Sequence, residues 1–183
     1  MSTAVTAVVF VALFAGHQVG DHIFQTNATA QAKGAPTAEL LAAGAHPWLG
    51  WGACLRHVGT YTLTQAVALI LVTVATPVAW AGLVAALAVS ASTHAVIDRR
   101  WLVRLIVRAK GCQDWPEAPY LIDQSLHTGA MLVAAVVAAV ATTGAGACAV
   151  GACAAMLVGA ALVVEQHLAT AARDRAASTV GGF

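Results

Sequence analysis

No Asp, Glu, Lys or Arg stands between Arg56 and Asp98, and none stands between Asp123 and Glu165. Stretches of that kind cannot cover a water-facing surface, since an ordinary soluble domain carries roughly 25% charged residues. Here charged residues make up 9% of the 183 and apolar residues 60%, and the mean hydropathy is +0.78. The balance argues against a soluble globule, a disordered chain and a nucleic-acid-binding domain with a basic face. It points to a bundle of membrane-crossing helices, each needing about 20 mostly apolar residues. Ala dominates and period-two alternation is absent, so helix is favoured over strand.

Five stretches qualify, at about 5–25, 53–75, 77–97, 120–142 and 147–168. The expected fold is therefore all-α: one transmembrane domain over residues 1–183, with five spans, the N-terminus outside and the C-terminus inside. Thr76-Pro77 predicts a tight hairpin between spans two and three. Residues 27–52 read as a loop, with Gly34, Pro36, Gly44, Pro47 and Gly50, a short interfacial helix near 38–43, and Trp48 and Trp51 at headgroup level. The segment 98–119 opens as a basic amphipathic stretch, with Arg100, Arg104 and Arg108 four apart. The tail after Ala169 reads as short and polar. The first apolar segment runs into His17 and Asp21 rather than a small-residue cleavage site, so it reads as a retained helix.

The nine Lys and Arg residues set the expected orientation. Lys33 and Arg56 fall between spans one and two, Arg99 to Lys110 between spans three and four, and Arg173 and Arg175 after span five. Five spans place all of these on one side, which should be cytoplasmic. The expected location is a bacterial inner membrane. The expected partners are the bilayer itself and anionic lipid headgroups at Arg99, Arg100, Arg104 and Arg108, with no nucleic acid. Ala- and Gly-rich later spans suit close helix packing, and a homo-oligomer is compatible with them. The four cysteines form no ligand or disulfide pattern.

Charged and imidazole side chains are costly inside a span and usually face the bundle interior. His17, Asp21 and Gln25 recur every four residues in span one, and Ser90, His94 and Asp98 do so in span three. His57 opens span two, and Asp123 and His127 open span four. Alternating chain direction puts all these sets at the cytoplasmic ends of their helices. Four imidazoles and three carboxylates at one depth suit one or two transition-metal ions, zinc first, with manganese or iron as alternatives. The candidate ligands are His17, Asp21, His57, His94, Asp98, Asp123 and His127. Tyr61, Gln25, Gln124 and Ser90 are candidate supporting partners. His22 lies about 140° round an α-helix from His17 and is left out. His46, beside Pro47, reads as a solvated loop residue, and one of Glu165 and His167 is a candidate to join the cluster.

At these residues the chain resembles a family of small bacterial multi-pass membrane proteins, domain-of-unknown-function family 3307. The resemblance rests on His17-Gln18-Val19-Gly20-Asp21-His22-Ile23-Phe24-Gln25, His57, Thr93-His94-Ala95-Val96-Ile97-Asp98 and Asp123-Gln124-Ser125-Leu126-His127. It covers about residues 10 to 130, and Arg99-Arg100 stand where the family usually has Lys. It implies an architecture and no activity. A looser similarity to predicted membrane-bound metal-dependent hydrolases, which also cluster His and Asp on span ends, is an analogy.

The reading that follows is a metal-dependent, hydrolase-like site on a phosphate- or lipid-type substrate, with Asp98 and Asp123 as candidate catalytic carboxylates. The alternative is a non-enzymatic membrane protein: a structural polar network, a partner-binding subunit, or a metal or proton carrier. A carrier needs polar residues at several depths. The outer halves of these spans are almost wholly apolar.

Overall fold

Ala-rich segments build eight α-helices among residues 2–180, which are the residues described in the computed structural model, and no strand appears among them. They are α1 (Ser2–Val19), α2 (Asn27–Ala32), α3 (Ala38–Ala42), α4 (Trp51–Thr73), α5 (Trp80–Asp98), α6 (Trp101–Ala109), α7 (Ala118–Val140) and α8 (Gly144–Val180). A π-helical turn, Gly20–Phe24, continues α1.

Four helical stretches, not the expected five, are long and apolar enough to cross a membrane: Thr3–Phe24, Trp80–Asp98, Ala118–Val140 and Gly144–Thr179. The one that falls short is α4. It is 23 residues long, but Arg56, His57, Tyr61, Gln65 and its threonines lower its hydropathy. The expected hairpin at Thr76-Pro77 is a six-residue connection, 74–79, between α4 and α5. The expected short polar tail is helical as far as Val180, because α8 runs on for 37 residues. That is roughly 55 Å at 1.5 Å per residue, well beyond a 30 Å hydrocarbon core. The closing Gly-Gly-Phe lies outside the described residues.

Small side chains let the helices approach closely. A Cβ at Gly82 of α5 would collide with the Ala138 carbonyl of α7, and one at Gly16 of α1 would lie 2.9 Å from the Gln65 Cα of α4. Between them lies the main core, in which Val9, Leu13, Leu69, Ala86, Met131 and Ala135 are buried together. Outward-facing positions are apolar too: Val11, Leu63, Ile70, Val133 and Val140 are all exposed. A soluble helix would be polar there; a lipid-facing one need not be.

The connections gather at one end. Thr26 and Thr37 cap α2 and α3 through their side-chain oxygens, each accepting from the backbone N–H three residues on. Leu41 of α3 packs on Ala169 and Ala172 of α8, and Arg173 donates to the Ala45 carbonyl. The amphipathic α6 buries Val103 and Val107 against Ile97. The C-terminal part of α8, the 25–50 segment and α6 therefore cover the ends of α1, α4, α5 and α7 that carry the His and Asp residues.

Candidate metal centre

Regular α-helical spacing explains half of the cluster. His94 and Asp98 lie one turn apart on α5, with His94 Nε2 3.1 Å from Asp98 Oδ2. Asp123 and His127 are likewise paired on α7, and His57 sits in the second turn of α4. The rest comes from α1, where His17 and Asp21 pair at the same spacing, Nδ1 3.5 Å from Oδ2, and Asp21 lies in the π-helical turn in which Gln25 N–H donates to the Gly20 carbonyl. Asp21 then faces His17, His57 and His94.

Four ligand-type atoms meet. His57 Nε2 lies 3.0 Å from His94 Nε2, 3.2 Å from Asp21 Oδ1 and 3.5 Å from Asp98 Oδ2. His94 Nε2 lies 3.6 Å from Asp21 Oδ1 and 3.1 Å from Asp98 Oδ2. Zinc bonds of about 2.0 Å in a tetrahedron put their ligand atoms roughly 3.3 Å apart, so the separations within the His57, His94 and Asp98 group, and those from Asp21 to the two imidazoles, bracket the required value. The side chains involved are at most 8% exposed. Asp21 Oδ1 and Asp98 Oδ2 make no well-aligned hydrogen bond among the described residues, although the His57 and His94 ring nitrogens lie 3.1–3.6 Å from them. Buried carboxylate oxygens that lack well-aligned donors are costly, and a cation held beside the two imidazole nitrogens would satisfy them. The donor set, two imidazole nitrogens and two carboxylate oxygens, fits zinc and other first-row transition metals.

The remaining candidates surround this focus. His17 Nδ1 lies 3.5 Å from Asp21 Oδ2, and its Nε2 is 3.1 Å from Gln124 Oε1. His17, Asp21 and His94 form a second group with metal-binding spacing. His127 points its Nε2 toward Asp98 Oδ1, at 3.9 Å, and that nitrogen is buried without a partner. Its Nδ1 lies 2.9 Å from the Asp123 carbonyl, which can only accept, so Nδ1 carries the proton and Nε2 offers a lone pair. Asp123 itself stands at the rim, 24% exposed, 3.5 Å from His127 Nδ1. It backs His127 rather than entering the four-atom focus. The imidazoles are packed ring against ring: His94 lies 4.5 Å from His127 and 3.6 Å from Tyr61 between centroids. Tyr61 in turn joins Ser90 and Gln65, and Gln65 donates to the Leu13 carbonyl.

Three placements differ from the sequence reading. Lys33, taken there only as an orientation signal, is buried with Nζ 2.7 Å from Asp98 Oδ1. Arg99, expected at lipid headgroups, is fully buried. It pairs with Glu165 at 2.7 Å, donates to the Lys33 and Leu49 carbonyls, and sits over the Trp51 ring. Glu165 is therefore tied to Arg99 and Trp51, outside the cluster, and His167 is exposed. His22, left out of the candidate ligands, is exposed and lines the cavity beside the cluster, its ring 6.3 Å from that of His17. His46 is in the loop as expected, bonded to the Trp48 N–H. A cavity of about 440 Å³ opens beside the focus, reaching Asp21 and Asp98 from a rim that includes Arg100, Arg104, Tyr120 and Asp123.

The profile of a family described as a protein of unknown function, DUF3307, matches residues 9–150. That stretch holds every residue of the cluster and most of the chain. The chain belongs to this family. No curated protein and no solved structure matches it.

Proposed function

We propose that this member of DUF3307 is a metal-dependent hydrolase of the bacterial inner membrane, with its site at the cytoplasmic end of the bundle and a phosphate- or lipid-type substrate. One observation carries the reading: buried imidazole nitrogens and carboxylate oxygens gathered at metal-binding spacing in two groups that share His94, namely His57, His94 and Asp98, and His17, Asp21 and His94. The basic residues, concentrated at the same end as the cluster, support the cytoplasmic orientation. A purely structural network is disfavoured by the buried atoms that lack well-aligned partners, since structural networks are retained fully paired.

When bound, a divalent metal lowers the pKa of a coordinated water to near 7 and polarises the scissile group. His57, His94, Asp21 and Asp98 would hold it. His127 would take a proton from the attacking water on Nε2, and the Asp123 carboxylate 3.5 Å from Nδ1 would stabilise the imidazolium. As the ester bond broke, His127 would return that proton to the leaving oxygen. Asp98 thus serves as a ligand rather than as the free base, with Lys33 fixing its second oxygen.

The full chain in detergent, with zinc, manganese or iron(II) added, should hydrolyse a nitrophenyl phosphate or nitrophenyl ester in a metal-dependent way. His127→Gln should keep the metal and lose about 10²–10⁴-fold in rate, the usual share of a general base. Metal-loaded protein that turns over neither ester class would overturn the reading.

A further inference from the structure

We infer that the cavity beside the cluster is a phosphate subsite that becomes functional only when the metal is bound, with Lys33, Arg100 and Arg104 as its cationic wall. The inference rests on the metal-centre reading and names the group that the site takes. The argument begins with charge. The cavity is lined by three carboxylates, Asp21, Asp98 and Asp123, and by three cations, Lys33, Arg100 and Arg104. These cancel. A divalent ion at the four-atom focus leaves the cavity with a surplus of two positive charges, matching a phosphate monoester of charge about −1.5 to −2 at neutral pH. Without the metal, the cavity has no net attraction for an anion.

Geometry supports the same assignment. Lys33 is only 5% exposed, and its ammonium sits on Asp98 Oδ1 while the other oxygen of that carboxylate faces the metal focus. An ammonium has three donors, so after Asp98 it still has two for an oxygen bound next to the metal. The Lys33 backbone is fixed by Arg99, whose guanidinium donates to its carbonyl at 2.9 Å. At the rim, Arg100 donates to the Ala30 carbonyl at 2.8 Å, and Arg104 donates to the Ala35 and Pro36 carbonyls at 3.2 Å. These bonds hold each guanidinium in place and use only part of its five N–H groups. Arg100 has φ 63°, in the left-handed region where a bulky side chain is strained. No other described residue except glycine adopts a positive φ. Strain of this kind gathers at ligand sites, and here it places a guanidinium at the cavity mouth.

The test uses the full chain in phosphatidylcholine nanodiscs, with inorganic phosphate as the probe and calorimetry as the readout, in zinc-loaded and metal-free states. Zinc-loaded protein should bind phosphate at least about tenfold more tightly than metal-free protein. Arg100→Gln and Arg104→Gln should each weaken phosphate about tenfold, the scale of one charge-assisted contact, and leave zinc stoichiometry unchanged. Adding phosphatidic acid to the discs separates the two sources of the group. Competition with inorganic phosphate supports a lipid-borne phosphate, and its absence with phosphate still bound supports a soluble one. Equal phosphate affinity with and without zinc, or unchanged affinity in both Arg variants, would overturn the subsite. Zinc bound with no phosphate response overturns the subsite alone, whereas failure to bind zinc overturns the metal reading beneath it.

Discussion

Asp98 and Arg99 are neighbours at the end of α5, both buried, and they belong to two polar clusters of opposite character. Arg99 donates to both Glu165 oxygens and to two backbone carbonyls, and Glu165 also accepts from the Trp51 indole. The groups of that pair are matched within the chain. On the other side, Asp21 Oδ1, Asp98 Oδ2, His127 Nε2 and His17 Nδ1 are buried and make no well-aligned hydrogen bond among the described residues. A matched cluster at a helix junction holds parts together, here α5, α8, α4 and the 25–50 segment. An unmatched one beside an open cavity is arranged for something that binds. Buried charge alone therefore does not mark a site in a membrane bundle; unsatisfied ligand-type atoms gathered beside a cavity do.

The contrast can be broken or sharpened by mutation. The largest effect on folding should come from the matched pair. Glu165→Leu strands the Arg99 charge and should cost about 3–5 kcal/mol, read as a loss of thermally stable protein in detergent. A variant that melts like wild type would remove the structural role. His94→Ala should do the reverse. Metal affinity should fall by about 100-fold or more, above the 10–100-fold typical of outer-shell partners, while the protein remains folded with a loss of about 1–2 kcal/mol. If it instead unfolds as Glu165→Leu does, the two clusters are alike and the contrast fails.

Next in size is pH. Imidazole must be neutral to bind a metal, and an unperturbed His titrates near ~6.5. Protonation therefore competes with metal as pH falls. Affinity measured by competition with a chelator should weaken as pH is lowered from neutrality into the acid range. An affinity unchanged down to the acid limit of folding would mean that His57 and His94 are not ligands. The smallest effect belongs to His46→Ala in the exposed loop, within about 0.5 kcal/mol in stability and without change in metal content.

The in-line pairs of this site are legible in the sequence because the α-helical repeat places i and i+4 on one face. His94 with Asp98 and Asp123 with His127 are read that way, and the chain reversals bring His57 and His17 to the same end. The π-helical turn at Gly20 is not legible, since it changes the angular step without any distinctive composition. Lys33 is hidden for another reason. It sits in a loop, and it reaches Asp98 only because Arg99 grips its carbonyl while pairing with Glu165, 66 residues further along. Arg99 next to Arg100 reads as a surface pair, yet the chain turns between them at the positive φ of Arg100, burying one and exposing the other. In α4 the same polar groups that build the site lower the hydropathy, so the helix is found by pattern but fails on apolarity.

X-ray absorption on the full chain loaded with zinc at neutral pH, beside His94→Ala prepared identically, tests the metal centre most directly. The expected result is stoichiometric zinc in a four-coordinate shell of nitrogen and oxygen at about 2.0–2.2 Å, with imidazole scattering reduced and zinc largely lost in the variant. Wild-type protein that retains no zinc, or zinc held equally by His94→Ala, would contradict a metal centre built on His57, His94, Asp21 and Asp98.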